Sequence, residues 1–252
     1  MPGKLILIGC GPGSGDLLTL RAAKRIFDAD LVLYDRLISE DVLEHAGPNT
    51  LCVYVGKGSG DGGVQQADIN LRIYDALCAG LVVARLKSGD PMIFGRAAEE
   101  LAIAEAVGAC IEIVPGVTAA LAAAADARIA VTERREIQHF IVTTGRSADD
   151  NNALDWESLA KPGTCIAFYM GVAQAWRIQS KLMAAGVPGD ASADWIERAG
   201  QSSSRTVSTT VDQIARAVAE QQVSNPAILM VRYPLSLAEA PARAVRASLF
   251  AS

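Results

Sequence analysis

A basic excess is missing from this chain of 252 residues, in which 23 lysines and arginines stand against 28 aspartates and glutamates for a formal charge of −5. Nucleic-acid binders show a basic surplus or a clustered basic face, so that class of partner is excluded. Any anionic partner has to be met by local positive charge inside an acidic protein. The five cysteines, Cys10, Cys52, Cys78, Cys110 and Cys165, carry no paired metal spacing, and their odd number fits no disulfide framework. They read as small core residues in a reducing compartment, with no metal site. No apolar run approaches the ~18–20 residues of a membrane span. The run at residues 5–8 is too short for a signal peptide, and a cytoplasmic location is expected. Internal repeats and low-complexity blocks are also lacking.

Half of the residues are apolar, which supplies a sizeable core for one large domain or two of roughly 100–150 residues. The stretch 81–96 organises the rest. Residues 81–86 form a short, mostly apolar run between Gly80 and Ser88-Gly89-Asp90-Pro91, the pattern of a buried parallel strand ending in a tight turn. Gly89 has access to backbone angles other residues avoid and Pro91 fixes its own, so the turn should hold one shape. Turns at the carboxyl ends of strands are where open α/β sheets bind ligands.

Near the amino terminus, residues 5–8 lead into Gly9-Cys10-Gly11-Pro12-Gly13-Ser14-Gly15-Asp16, followed by a helical pattern through Leu17, Leu20, Ala23 and Ala29. Strand, glycine loop and helix invite a dinucleotide-binding reading, and Asp35 after the next strand stands where a ribose-binding carboxylate would. The register excludes it. Counted from Gly9 the third glycine position holds Ser14, counted from Gly11 it holds Asp16, and Pro12 removes a backbone donor.

Further along, residues 39–46 read as a helix, 51–55 as a strand ending in Gly56-Lys57, and 58–63 as a glycine-rich segment that is either a linker or a mobile lid. A helix over 67–79 places Ile69, Ile73 and Leu77 on one face, and another over 95–107 carries Arg96, Glu99 and Glu100 early. Residues 110–114 form a strand stopped by Pro115-Gly116. This alternation predicts a parallel, doubly wound amino-terminal sheet in a domain of residues 1–115. Residues 116–234 form a second α/β domain. It opens at Thr118, a plausible cap, and the alanine-rich 119–127; strands follow at 140–144 and 165–169, a turn at 154–159, a helix at 178–185, an antiparallel strand at 205–210, an amphipathic segment at 211–221 and a last strand at 227–231. Residues 235–252 are a tail of weak periodicity.

Gly11-Pro12-Gly13 with Leu17-Leu18-Thr19-Leu20, Tyr34-Asp35-Arg36-Leu37, Val55-Gly56-Lys57, Arg85 to Pro91 with Ile93-Phe94-Gly95-Arg96, Val114 to Ala119, and Tyr169-Met170-Gly171 occur in the order and spacing of the tetrapyrrole methylases. From residue 5 to about 231 the chain resembles that family, most nearly its members that C-methylate uroporphyrinogen III. The resemblance implies the two-domain tetrapyrrole-methylase (class III methyltransferase) fold, its second sheet mixed, with a cleft between the domains. It also implies S-adenosyl-L-methionine as methyl donor, S-adenosyl-L-homocysteine as product, no metal, and a homodimer. Its cofactor contacts fall on Pro12, Ser88, Gly89, Asp90, Ile93, Thr118, Ala119 and Met170, with Ala199 and Ala227 less securely aligned. Asp35 is the implied proton acceptor and Lys57 the donor, although Asp35 could cap the following segment and Lys57 be a surface charge.

Of the cations Arg36, Lys57, Arg85, Lys87, Arg96, Arg128, Arg134 and Arg135, all expected near the cleft, Arg36, Lys57, Arg96 and Arg134 are the implied contacts to substrate carboxylates. Departures cluster in the substrate half, where Gly58 and Gly60–Gly63 replace an arginine and a later histidine and Glu133 replaces the histidine of threonine-histidine-arginine; Ser88 also replaces a glycine of the cofactor turn, and Ala97-Ala98 a glycine pair. A different tetrapyrrole intermediate as substrate, and a non-catalytic binder of cofactor or tetrapyrrole, therefore stay open.

Overall fold

The computed structural model describes residues 2–56, 66–146 and 154–238. Lys57, the glycine run 58–63, most of the polar loop at 145–152 and the tail beyond 238 lie wholly or partly outside them. The chain divides into two compact units, one of residues 1–119 with 200–202, the other of 120–199 with 203–252.

The first unit is a five-stranded sheet in the order β3-β2-β4-β1-β5, with every pair parallel. Its strands are β1 (Lys4–Gly9), β2 (Leu31–Tyr34), β3 (Leu51–Tyr54), β4 (Val82–Lys87) and β5 (Cys110–Val114). Helices α1 (Leu20–Phe27), α2 (Glu40–Leu43), α3 (Gln66–Cys78) and α4 (Ala97–Ala106) connect them, as the alternation predicted. On α3 the predicted face is the buried one: Ile69, Ile73, Ala76 and Leu77 pack on Leu5, Leu33 and Val83. On α1 the helix is where the pattern put it, shorter than the pattern. The Thr19 hydroxyl accepts from Ala22 N at 3.1 Å and starts the helix at Leu20, so Ala22 and Ile26 face inward and Leu20 is 84% exposed. Helix α4 starts two residues later than expected, because Phe94 and Arg96 take left-handed backbone angles just before it.

The second unit is built on a mixed sheet in the order β6-β7-β10-β8-β9, with β6 and β7 parallel and the remaining pairs antiparallel. These strands are β6 (His139–Thr144), β7 (Thr164–Tyr169), β8 (Ser192–Glu197), β9 (Arg205–Thr210) and β10 (Ala227–Tyr233), accompanied by α5 (Ala119–Asp126), α6 (Trp156–Leu159), α7 (Ala175–Ala184) and α8 (Ile214–Glu220). The segment at 154–159 closes into a single helical turn, capped by the Asp155 side chain on Ser158 N at 3.1 Å. Fully buried Trp195 anchors the core, its indole nitrogen donating to Ile214 O at 3.3 Å, with Phe168, Ile178, Leu182 and Leu229 around it. No helix among the described residues is long and apolar enough to cross a membrane.

Only Cys10 and Cys165 are core residues. Cys52 and Cys110 sit on the two edge strands of the parallel sheet and Cys78 ends α3, and all three are exposed. Burial pushes the Cys10 thiol up to about 12 and the Cys165 thiol up to about 11. Native protein should therefore release colour from a thiol-exchange reagent quickly for Cys52, Cys78 and Cys110, and for all five only after denaturation; five fast thiols in the native state would contradict the packing.

Candidate active site

In the parallel sheet β4 and β1 are neighbours, yet the connection after β1 runs to β2 on one side while that after β4 runs to β5 on the other. Such a divergence opens the sheet's carboxyl edge to a ligand. Here the loops are stitched together by main chain. Cys10 N donates to Lys87 O at 2.9 Å, Gly11 N to Gly89 O at 3.3 Å, and Gly89 N to Gly11 O at 2.8 Å. Asp90 joins the loop after β5, its Oδ2 accepting from Gly116 N at 3.1 Å while Oδ1 accepts from Met92 N at 2.9 Å.

Close approach explains the glycines. A Cβ on Gly9 would lie 2.5 Å from Gly116 N, and one on Gly116 would lie 2.3 Å from Gly89 O. The backbone donors that a pyrophosphate would need are also spent, since Gly11 N is on Gly89 O and Ser14 N is on Gly200 O at 3.0 Å. The exclusion of a dinucleotide fingerprint thus has a geometric cause.

Of the sequence candidates in the first unit, Pro12 and Gly89 are buried, Ser88, Thr118 and Ala119 are half-buried, and a Cβ on Gly89 would stand 3.6 Å from Ala119 N. Beyond the turn, Met92, Ile93 and Phe94 are all exposed. Three consecutive large apolar residues left uncovered beside a ligand-type turn form the sort of surface that takes an apolar ligand moiety. In the second unit, Met170 follows β7 with φ 53 and is exposed, whereas Ala199 and Ala227 are buried.

Asp35 follows β2. Its Oδ1 accepts from Leu37 N at 3.1 Å, so it does cap the turn, and its Oδ2 stands 3.2 Å from Arg85 Nη2. Arg36 and Arg134 are exposed. Arg96 forks onto Glu99 at 2.7 and 3.0 Å on the surface at the start of α4.

Arg85 and Lys87 are not surface cations. Each is 5% exposed, because positions two apart on β4 share the face on which α3 and α4 pack, and there Glu100 of α4 is fully buried. Arg85 Nε lies 3.2 Å from Glu100 Oε1 and Lys87 Nζ lies 2.8 Å from Glu100 Oε2. Burial pushes the Lys87 ammonium below the usual lysine range, and Glu100 opposes that shift. Removing one partner of such a buried set leaves an uncompensated charge and costs about 3–5 kcal/mol. The signal was present in the sequence, since two cations at alternate positions of a buried strand require a facing carboxylate. Glu133, the other departure, is held by structure: its side chain pairs with Arg232 at 2.5 Å and its backbone bridges to Ile137.

Residues 4–215 match the family of Tetrapyrrole (Corrin/Porphyrin) Methylases. The chain belongs to this family. Siroheme synthase 1 of Aeromonas hydrophila subsp. hydrophila is 37% identical over 237 residues, covering 94% of this chain and 51% of that protein. The Klebsiella pneumoniae siroheme synthase 1 is 39% identical, covering 91% and 48%. The chain thus spans about half the length of the curated relatives it matches. Among solved structures, a uroporphyrin-III C-methyltransferase from Thermus thermophilus, complexed with S-adenosyl homocysteine, superposes with TM-score 0.77 at 32% identity over 91% of this chain and 92% of that one. A cobalt precorrin-4 methyltransferase gives TM-score 0.81 at 27% identity over 91% and 95%. The methyltransferase fold expected from the motifs is therefore the fold of this tetrapyrrole methylase.

Proposed function

We propose that this tetrapyrrole methylase C-methylates uroporphyrinogen III to precorrin-2, for sirohaem or cobalamin-type tetrapyrroles, as a cytoplasmic homodimer. One observation carries the reading most: the 32% identity over 92% of a uroporphyrin-III C-methyltransferase. S-adenosyl-L-methionine would supply an electrophilic methyl group on a sulfonium sulfur. The first unit's turns fit such a donor. The Asp90 carboxylate is spent on tying the loops, so the main chain of Ser88–Asp90 would bind the polar ends and exposed Ile93 would pack the flat, apolar part. Pro12, Thr118 and Ala119 complete the assignment there, and Met170, Ala199 and Ala227 are the second unit's counterparts.

Alignment does most of the work asked of the protein. Holding the attacking ring carbon in line with the methyl carbon can remove roughly 7–11 kcal/mol of barrier at the upper limit. A C–C bond then forms, the S–CH3 bond breaks with its electron pair returning to sulfur, and the alkylated ring must lose a proton. Asp35, held by Arg85, accepts it, and Lys57 is the assigned donor for any compensating proton shift within the ring system, which leaves the net loss of one proton unchanged. Arg36, Arg96 and Arg134 are the exposed cations assigned to substrate carboxylates.

A second reading has support too. The likeness to a cobalt precorrin-4 methyltransferase, together with glutamate at 133, favours a later precorrin-type substrate. Anaerobic incubation with uroporphyrinogen III and S-adenosylmethionine, followed by mass spectrometry, separates the two. A gain of two methyl groups is the expected result. Cofactor binding with no methyl gained would reject uroporphyrinogen III and leave the precorrin reading.

A further inference from the structure

Glu100 is fully buried at the start of α4, and the chemistry above makes no use of it. Its carboxylate is shared. Oε1 faces Arg85 Nε at 3.2 Å and takes a hydrogen bond from Gln66 Nε2 at 3.3 Å, while Oε2 faces Lys87 Nζ at 2.8 Å. Each cation also has a second engagement, and the two point to different places. Arg85 Nη2 reaches Asp35 Oδ2 at 3.2 Å, and Lys87 Nζ donates to Gly95 O at 2.5 Å.

The Gly95 carbonyl belongs to a turn that needs holding. Phe94 and Arg96 have φ of 52° and 53°, and a Cβ on Gly95 would meet Pro91 O at 2.4 Å. Strained backbone of this kind persists only where its surroundings over-determine it. The arginine fork is over-determined as well, with Nη1 donating to Leu86 O at 2.6 Å and Leu33 O at 3.4 Å. Without a carboxylate between them, Arg85 and Lys87 would be two buried like charges on one strand face, each driven away from the other and from its second engagement.

We propose that Glu100 is a positioning residue for the methyl transfer: a single buried carboxylate that aims Arg85 at Asp35 and Lys87 at the 91–96 turn. The proton acceptor and the turn assigned to the cofactor then share one rigid frame, with Glu100 one side chain removed from either. The inference rests on the reading of Asp35 and the cofactor turn given under the proposed function.

Glu100→Gln keeps the shape and removes the charge. Its expected result is a kcat at least 10-fold lower and a several-fold higher KM for S-adenosylmethionine, in protein that is folded by circular dichroism. The two arms are separable. In an Asp35→Asn background, adding Glu100→Gln should leave kcat where Asp35→Asn put it, since the Arg85 arm acts only through Asp35, yet should still raise the KM for the donor. If Glu100→Gln does not fold, Lys87→Met with Glu100→Gln removes the buried pair's charges together, and the same loss of kcat is expected. A folded variant with unchanged kcat, or kcat losses that multiply in the double variant, overturns the proposal while the proposed reaction stands. A wild-type protein that leaves uroporphyrinogen III unmethylated, or an Asp35→Asn variant as fast as wild type, overturns the underlying reading and this inference with it.

Discussion

Asp35→Asn is expected to slow methyl transfer by roughly 10²–10⁴-fold, the usual worth of a positioned acid–base group, while leaving the protein folded and its affinity for S-adenosylhomocysteine unchanged. The substitution keeps the side chain's shape but leaves a poor proton acceptor. It also keeps one oxygen, so it loses one of two interactions: the bond from Leu37 N or the contact with Arg85. Neither loss is large for stability. The Asp35 side chain is 31% exposed, and an ion pair that wet is worth at most about 1 kcal/mol. Anaerobic initial rates, paired with calorimetric titration of S-adenosylhomocysteine, read the two quantities apart. An undiminished rate would leave Asp35 as the cap of its turn and nothing more.

Gly116→Ala should produce the larger structural effect, and it should be felt in the first unit. The new methyl group would stand 2.3 Å from Gly89 O and 2.7 Å from Gly9 C. Both obstacles are main chain, with no side chain to swing aside, so the expected cost is at or above the ~1–3 kcal/mol usual for overpacking. The Asp90–Gly116 bond would be pulled apart as well, and donor binding should fall with it. Gly89→Ala is the informative control. Its Cβ would have an ordinary 3.6 Å contact, and its penalty comes only from φ of +73°, about 1–2 kcal/mol. Differential scanning calorimetry should therefore rank the transitions wild type, Gly89→Ala, Gly116→Ala, from highest to lowest. The reverse order would mean that the loops are not locked by backbone contact.

Local pattern was enough to locate most of this architecture. Alternating apolar runs and helical faces placed the strands of the parallel sheet, and Ile69, Ile73 and Leu77 could be read as one buried face because nothing but spacing was needed. β8 escaped notice: Ser192, Ala193, Asp194 and Glu197 have little intrinsic strand preference, and the strand exists because β9 and β10 pair with it on both sides. The turn at Ser88–Pro91 was visible for the opposite reason, since glycine and proline announce their geometry without help from neighbours. Arg85 and Lys87 were expected among the cations near the cleft, and not as a buried set paired with Glu100. The two cations on a buried strand called for a facing carboxylate, but that Glu100 of α4 supplies it is a tertiary fact that no window of sequence contains. The same limit applies to Glu133, whose partner Arg232 lies on β10.

The central place of β1 has a consequence for how the protein is made. Leu5 pairs with Val83 on one side and with Ile111 on the other, so the first strand of this sheet in chain order is the last of its inner strands to be flanked. At roughly 5–20 residues per second on the ribosome, the apolar run from Leu5 to Ile8 spends about 4–16 s in the growing chain before β4, its first neighbour, is made. During that interval it is an exposed apolar segment without its strand partners, the kind of transient surface from which aggregation starts.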